Sequence, residues 1–257
     1  MLKVSLFILS TSYFAWYFER HETTAVYPFD ASYITPADAG EGRLTEHRLN
    51  TKDGESLIVW RASASSGKPT LVYFMGNAGG LKDRADRFRH LIDAGYGVIA
   101  PAYRGSSGSS GAPEEMALIS DALALVQAED APVVLYGESL GTAVAIRLAA
   151  DGFGTSLVLE APFTSITDLV SQQFPSEDLT DLITQKWESV AHAPSVAQPL
   201  LVIHGSEDRT VPIAMGRRIF EIAGSTDKQF VEVDKAGHSG LWATEARDAL
   251  FAFLDRS

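Results

Sequence analysis

The chain has 257 residues, is 46% hydrophobic and carries a formal charge of -12, so it can bury one substantial core. The acidic balance argues against a nucleic-acid partner, because neutralising phosphates needs a surplus of Lys and Arg on one face. The absence of cysteine excludes disulfides, thiolate metal sites and a Cys nucleophile.

The first element in chain order is the apolar, aromatic run from Val4 to Phe18, flanked by Lys3 and by Glu19-Arg20-His21-Glu22. The expected reading is an N-terminal membrane anchor over residues 1–30, with Tyr13, Trp16 and Tyr17 suited to an interfacial belt. Two others stand beside it. A signal peptide would need a small-x-small cleavage site, which Glu19 to Glu22 does not offer. A helix lying on the membrane or on the protein itself would suit the shortness of the run, since a span needs about 20 apolar residues. Residues Ala31 to Gly42 are small and polar and read as a linker into a globular domain over 31–257. Leu44 to Trp60 alternates around Lys52-Asp53-Gly54, the pattern of an antiparallel hairpin.

Beyond the hairpin the period changes. Short apolar runs at Leu71–Met75, Gly97–Pro101, Pro132–Tyr136, Ser156–Glu160, Pro199–His204 and Gln229–Val233 predict strands buried on both faces. Helical spacing recurs over Leu81–Ala94, Glu114–Ala128, Leu140–Ala150, Ile213–Ala223 and Leu241–Leu254. Strand alternating with helix predicts an α/β fold, a mostly parallel sheet of about eight strands flanked by helices. Phe163 to Ala197 interrupts the alternation and reads as a small helical cap. Its apolar residues Phe163, Phe174, Leu179, Leu182, Ile183 and Trp187 either line an acyl pocket or pack the cap onto the sheet. The serine- and glycine-rich stretch Gly105 to Gly111 predicts a mobile loop near the site mouth.

Working residues of such sheets sit at the carboxyl ends of the strands. There, Gly137-Glu138-Ser139-Leu140-Gly141 is a G-x-S-x-G between a strand and a helix. The glycines permit a sharp turn with the serine at its apex, and the helix start directs amides toward the same point. A serine nucleophile needs a base and an orienting acid, following it here in the order acid, then base. His204-Gly205-Ser206-Glu207-Asp208 supplies the acid, and by chemistry alone either Asp208 or Glu207 could serve. The base is His238, on a loop between Gly237 and Gly240, whereas His204 ends a buried strand and reads as structural. His21, His47, His90 and His192 lie outside strand-end positions. The expected oxyanion donors are the backbone amides of Leu140 and of Asn77, the latter in the glycine-rich Met75 to Gly80 loop. That loop lacks dinucleotide-binding spacing, and no Walker motif or His–carboxylate metal cluster is evident, so no cofactor and no metal are expected.

Together these features resemble the α/β-hydrolase superfamily from about Leu44 onward. Tyr73–Gly80, Ala102–Glu115, Leu135–Ala145 and Leu159–Ser165 resemble a branch of small hydrolases with an N-terminal hydrophobic anchor, related to membrane-associated acyl-protein thioesterases. The resemblance implies Ser139 as nucleophile, His238 as base and Asp208, rather than Glu207, as acid. It implies a serine esterase or thioesterase acting on a small-molecule or lipid-like acyl substrate. Where the branch reads His-Gly-Asn-Ala-Gly, this chain has Met75, a departure in a position that braces the oxyanion loop. A noncatalytic membrane-tethered module of the same fold and a serine peptidase are the alternatives.

Overall fold

A computed structural model describes residues 21–173 and 181–256. The expected hairpin forms as β1 (Thr45–Asn50) and β2 (Ser56–Ala62), paired antiparallel with Asn50 opposite Ser56. The apolar runs follow as β3 (Thr70–Phe74), β4 (Gly97–Pro101), β5 (Val133–Glu138), β6 (Leu157–Glu160), β7 (Leu200–Gly205) and β8 (Lys228–Val233). They build one eight-stranded sheet in the order β1-β2-β4-β3-β5-β6-β7-β8. β2 meets β4 antiparallel, and every pair from β4 through β8 is parallel. The interior strands β4 and β6 are buried along their whole length, as expected of a sheet covered on both faces. The mostly exposed β1 closes one edge.

The helices are α1 (Ala85–Asp93), α2 (Glu115–Gln127), α3 (Leu140–Ala150), α4 (Ile166–Gln173), α5 (Ser189–His192), α6 (Ile213–Ile222) and α7 (Thr244–Leu254). The helical spacing from Leu81 opens with a 3-10 turn, Leu81–Arg84, before α1 begins. The chain steps from β3 to β4 in one direction and from β4 to β5 in the other. Right-handed crossovers therefore place α1 on one face and α2 and α3 on the opposite one. α7 lies with α1, joined to it by Arg247 Nη1 at 3.4 Å from His90 Nε2. The reversal of direction opens a crevice at the carboxyl ends of β3 and β5, where sheets of this kind bind ligands.

Three features differ from the sequence-based expectation. The segment read as anchor and linker is packed on the domain from its first described residues. Residues 21–26 are helical, and the Glu22 carboxylate accepts the Thr184 and Gln185 amides at 2.7 and 3.0 Å. Tyr27 donates to Gln185 Oε1 (2.7 Å) and accepts from Trp187 Nε1 (2.9 Å). Phe29 and Gly79 form an isolated parallel bridge, and the Asp30 carbonyl accepts the Ser107 amide at 2.7 Å. The expected boundary at residue 30 thus falls inside this strap. The Gly105 to Gly111 stretch is not an open loop, because Ser106, Ser107 and Ser109 are buried. Ser107 Oγ and Ser109 Oγ accept the Leu81 and Ile58 amides, each at 2.9 Å, and satisfy backbone groups a mobile loop would leave to water. Between β6 and β7, α4 buries none of its residues, whereas α5 packs on α3 and α6 as an ordinary crossover. Phe163, Ile183 and Trp187 are each 2% exposed, which assigns them to packing; Phe174 and Leu179 lie outside the described residues.

The apolar run from Val4 to Phe18 also lies outside the described residues, and among those described no helix is long and apolar enough to cross a membrane.

Candidate active site

Ser139 stands between the last residue of β5 and the first of α3 with φ 49° and ψ -113°. A non-glycine residue held at positive φ is strained, and such strain persists only where the surroundings enforce it. Here they do. A Cβ at Gly137 would lie 2.5 Å from the Gly141 carbonyl oxygen, and one at Gly141 would lie 2.0 Å from the Phe74 oxygen. Gly137 is therefore required by the closeness of α3 to its own strand β5, and Gly141 by the closeness of α3 to the end of β3. The Ser139 amide donates to the Glu160 carbonyl (2.8 Å), and Thr142 Oγ1 donates to the Ser139 carbonyl (2.6 Å).

Asp208 and His238 reach the serine from the carboxyl ends of β7 and β8. Their loops are stitched together by the Ser206 amide on the Val233 carbonyl (3.0 Å) and the Glu207 amide on the Ala236 carbonyl (2.9 Å). His238 Nε2 lies 3.0 Å from Ser139 Oγ, and its Nδ1 lies 2.8 Å from Asp208 Oδ2. A carboxylate only accepts, so Nδ1 carries the proton and Nε2 is left to accept from the serine hydroxyl. The His238 side chain is 25% exposed and can meet a substrate, whereas that of Asp208 is fully enclosed. Asp208 Oδ1 accepts the Thr210 and Val211 amides, both at 2.9 Å. Burial opposes its charge. The His204 and His238 rings and the Val211 amide outweigh that and hold the carboxyl well below the usual carboxylate range.

The sequence left Asp208 and Glu207 equal on chemistry; the structure brings only Asp208 to the histidine and leaves Glu207 exposed. His204 is fully buried, as expected of a strand end, yet it is not remote from the site. Its Nε2 donates to the Val211 carbonyl (2.8 Å) and lies 3.5 Å from Asp208 Oδ2, so it packs beneath the acid.

Leu140 opens α3, so its amide has no helical carbonyl to serve. Asn77 lies in the loop after β3, where its side chain donates to the Val26 carbonyl (2.9 Å) and fixes the loop to the N-terminal strap. Buried Met75 is anchored through its carbonyl, which accepts the Tyr103 hydroxyl at 3.0 Å.

Sequence reasoning missed a polar network beneath these loops. Arg84 donates to both oxygens of Glu138, at 3.0 and 2.9 Å, and through Nη1 to the Ala78 carbonyl at 2.6 Å. Tyr73 donates to Glu138 Oε2 at 2.8 Å and accepts from Arg87 at 2.9 Å, which also donates to Glu160 at 2.6 Å. Trp242 Nε1 reaches the same Glu160 oxygen at 3.1 Å. The available signal was a carboxylate at the end of each of two buried strands, Glu138 and Glu160, each requiring a cation.

This sheet, with a strained serine at its switch point, defines an α/β hydrolase. The chain belongs to the α/β-hydrolase superfamily. The family described as "Alpha/beta hydrolase family" matches residues 76–183, and that described as "Serine aminopeptidase, S33" matches residues 167–245. A Mycobacterium tuberculosis protein is 33% identical over 218 residues, covering 80% of this chain and 77% of the relative. Protein bem46 of Schizosaccharomyces pombe is 31% identical, covering 74% of this chain and 69% of its own. Lysophosphatidylserine lipase ABHD12 of Danio rerio is 28% identical, covering 77% of this chain and 64% of the lipase. Among solved structures, the Pyrococcus furiosus esterase Pf2001 superposes with a TM-score of 0.73 at 19% identity, covering 90% of this chain and 98% of the esterase.

Proposed function

We propose that the protein is a serine hydrolase that cleaves carboxylic esters through an acyl-enzyme on Ser139, with a lipid-like acyl substrate. The observation that carries this reading is the continuous Ser139–His238–Asp208 relay, with contacts of 3.0 and 2.8 Å. Ser139 Oγ attacks the acyl carbon while His238 Nε2 takes its proton. Asp208 holds the ring in the required tautomer and balances the imidazolium. The amides of Leu140 and Asn77 receive the oxyanion. On collapse the alcohol leaves with the proton from His238. Water then attacks the acyl-enzyme, again deprotonated by His238, and releases the acid.

The lipid-like substrate is supported by the similarity to a lysophosphatidylserine lipase, and a hydrophobic run at residues 4–18 would place the chain beside such substrates at a membrane. Thioesters share the acyl-transfer route and belong to the same proposal. The match of residues 167–245 to the serine aminopeptidase family favours a second reading, hydrolysis of N-terminal peptide bonds.

The test is labelling by a fluorophosphonate followed by a substrate panel. Labelling of the wild type that is lost in Ser139→Ala is expected, and a wild type that does not label refutes the proposal. Single-chain phospholipids, acyl thioesters and aminoacyl amides are then compared, and turnover of the amides alone would establish the peptidase reading instead.

A further inference from the structure

The two proposed oxyanion amides belong to segments that leave different strands. The β3–β5 ladder has its last rung at Phe74 and Gly137. Past that rung, among the described residues, no backbone hydrogen bond joins the Met75 to Gly80 loop to Glu138, Ser139 or Leu140. The backbones meet only where Gly141 packs against the Phe74 and Met75 carbonyls, so beyond that contact the hydrogen bonds that hold the Asn77 amide relative to the Leu140 amide come from side chains. The Arg84 guanidinium occupies that position. One edge grips both Glu138 oxygens, immediately before the nucleophile, and Nη1 grips the Ala78 carbonyl, immediately after Asn77.

We propose that the Arg84–Glu138 pair is a positioning strut that fixes the spacing of the Asn77 and Leu140 amides. This rests on the acyl-transfer reading above.

Both side chains are largely enclosed, at 9% and 16% exposure, so water does not loosen the fork. A Cβ at Gly76 would lie 3.4 Å from Arg84 Nη2, from Glu138 Oε1 and from Ser139 Cβ, so the loop backbone runs directly against the pair and the nucleophile. Asp83 Oδ2 adds a second hold on the loop by accepting the Gly80 amide at 2.8 Å. Glu138 is itself tethered. Through Tyr73, Arg87 and Glu160 it connects to Trp242 on the segment that follows His238. One chain of hydrogen bonds therefore passes under the oxyanion loop, the nucleophile turn and the histidine loop. It contains two arginines and two glutamates, so its charge is balanced internally.

A strut and a merely stabilising ion pair differ in what they change. Loss of the strut misplaces donors used only when an oxyanion forms, so kcat falls while KM holds. Loss of a stabilising pair lowers Tm and leaves each folded molecule as active as before. Two substitutions probe the fork: Glu138→Gln keeps the shape and removes the charge, and Arg84→Lys keeps the charge and removes the fork. Each is compared with wild type for fluorophosphonate labelling rate per folded molecule and for kcat and KM on a short-chain ester. The expected result is a fall of about 10- to 100-fold in labelling rate and kcat, with KM within about threefold. The double variant is expected to be no slower than the slower single one, because the partners act as one unit. Arg61→Gln, which breaks an ion pair with Glu129 well away from the site, is the control and stays at the wild-type rate. Equal labelling of wild type and both single variants overturns the strut alone. Absence of labelling in the wild type overturns the acyl-transfer reading and the strut with it.

Discussion

Replacing Asp208 by Asn tests the relay at the point where geometry constrains it most. The asparagine carbonyl can take the place of Oδ1 and keep the Thr210 and Val211 amides, both at 2.9 Å. The amide nitrogen then occupies the position of Oδ2, 2.8 Å from His238 Nδ1 and 3.5 Å from His204 Nε2. His204 Nε2 already carries a proton, because it faces the Val211 carbonyl at 2.8 Å, so it presents donor against donor. His238 is forced to accept at Nδ1 and to carry its proton on Nε2, aimed at Ser139. It can no longer take the serine proton. A serine–histidine pair in the wrong tautomer loses about 10³- to 10⁴-fold in kcat, or about 4 to 5.5 kcal/mol of transition-state stabilisation. Initial rates on a p-nitrophenyl ester and the fluorophosphonate labelling rate measure the loss, with circular dichroism confirming the fold. Exposed Glu207→Gln is the matched comparison and is expected within about twofold of wild type. A loss below tenfold in Asp208→Asn, or an equal loss in Glu207→Gln, would refute the assignment of the acid.

Gly141→Ala places a methyl 2.0 Å from the Phe74 carbonyl oxygen, so α3 must move off β3, with an expected cost of about 3 kcal/mol or more in urea unfolding. Glu22→Ala strips acceptors from the Thr184 and Gln185 amides and is expected to lower unfolding free energy by about 2 to 4 kcal/mol, read from the same denaturation curves. The nearby arginines have a consequence in acid. Burial works against the Glu138 charge, but Arg87 and Arg84 bring its pKa down to about 2 from an ordinary 4.5. Stability from that shift is fully present above pH 4.5 and is lost as pH falls toward 2. Glu138→Gln should flatten that part of a Tm-against-pH curve; an unchanged acid limb would contradict the assigned shift.

Much of the fold was legible because its signals are local. Continuous apolar runs made β3 to β7, and the Lys52-Asp53-Gly54 turn between two short strand-like runs made the hairpin, whose short-range pairing the sequence itself encodes. Ser139, Asp208 and His238 were legible because each follows a strand end in a fixed order, and the structure brings all three within hydrogen-bonding distance. The strap was not legible. Ala31 to Gly42 has linker composition, and nothing local shows that Glu22 and Tyr27 bond to residues more than 150 positions away. The serine-rich stretch misled for a related reason. Its hydroxyls are spent on the Leu81 and Ile58 amides, a use that composition cannot distinguish from solvation. The Arg84–Glu138 pair joins residues 54 positions apart, beyond any helical or strand period.

The strap also determines how the site is presented. Glu22 is clamped to Thr184 and Gln185, Val26 to the Asn77 side chain and Asp30 to the Ser107 amide, so the described chain has no slack from its beginning to the rim of the crevice. A flexible leash of a few dozen residues would let a domain tumble and sample every direction. Here residues 22 to 30 hold one bearing relative to the nucleophile, and the Val26 carbonyl is part of what keeps the Asn77 loop in place beside it.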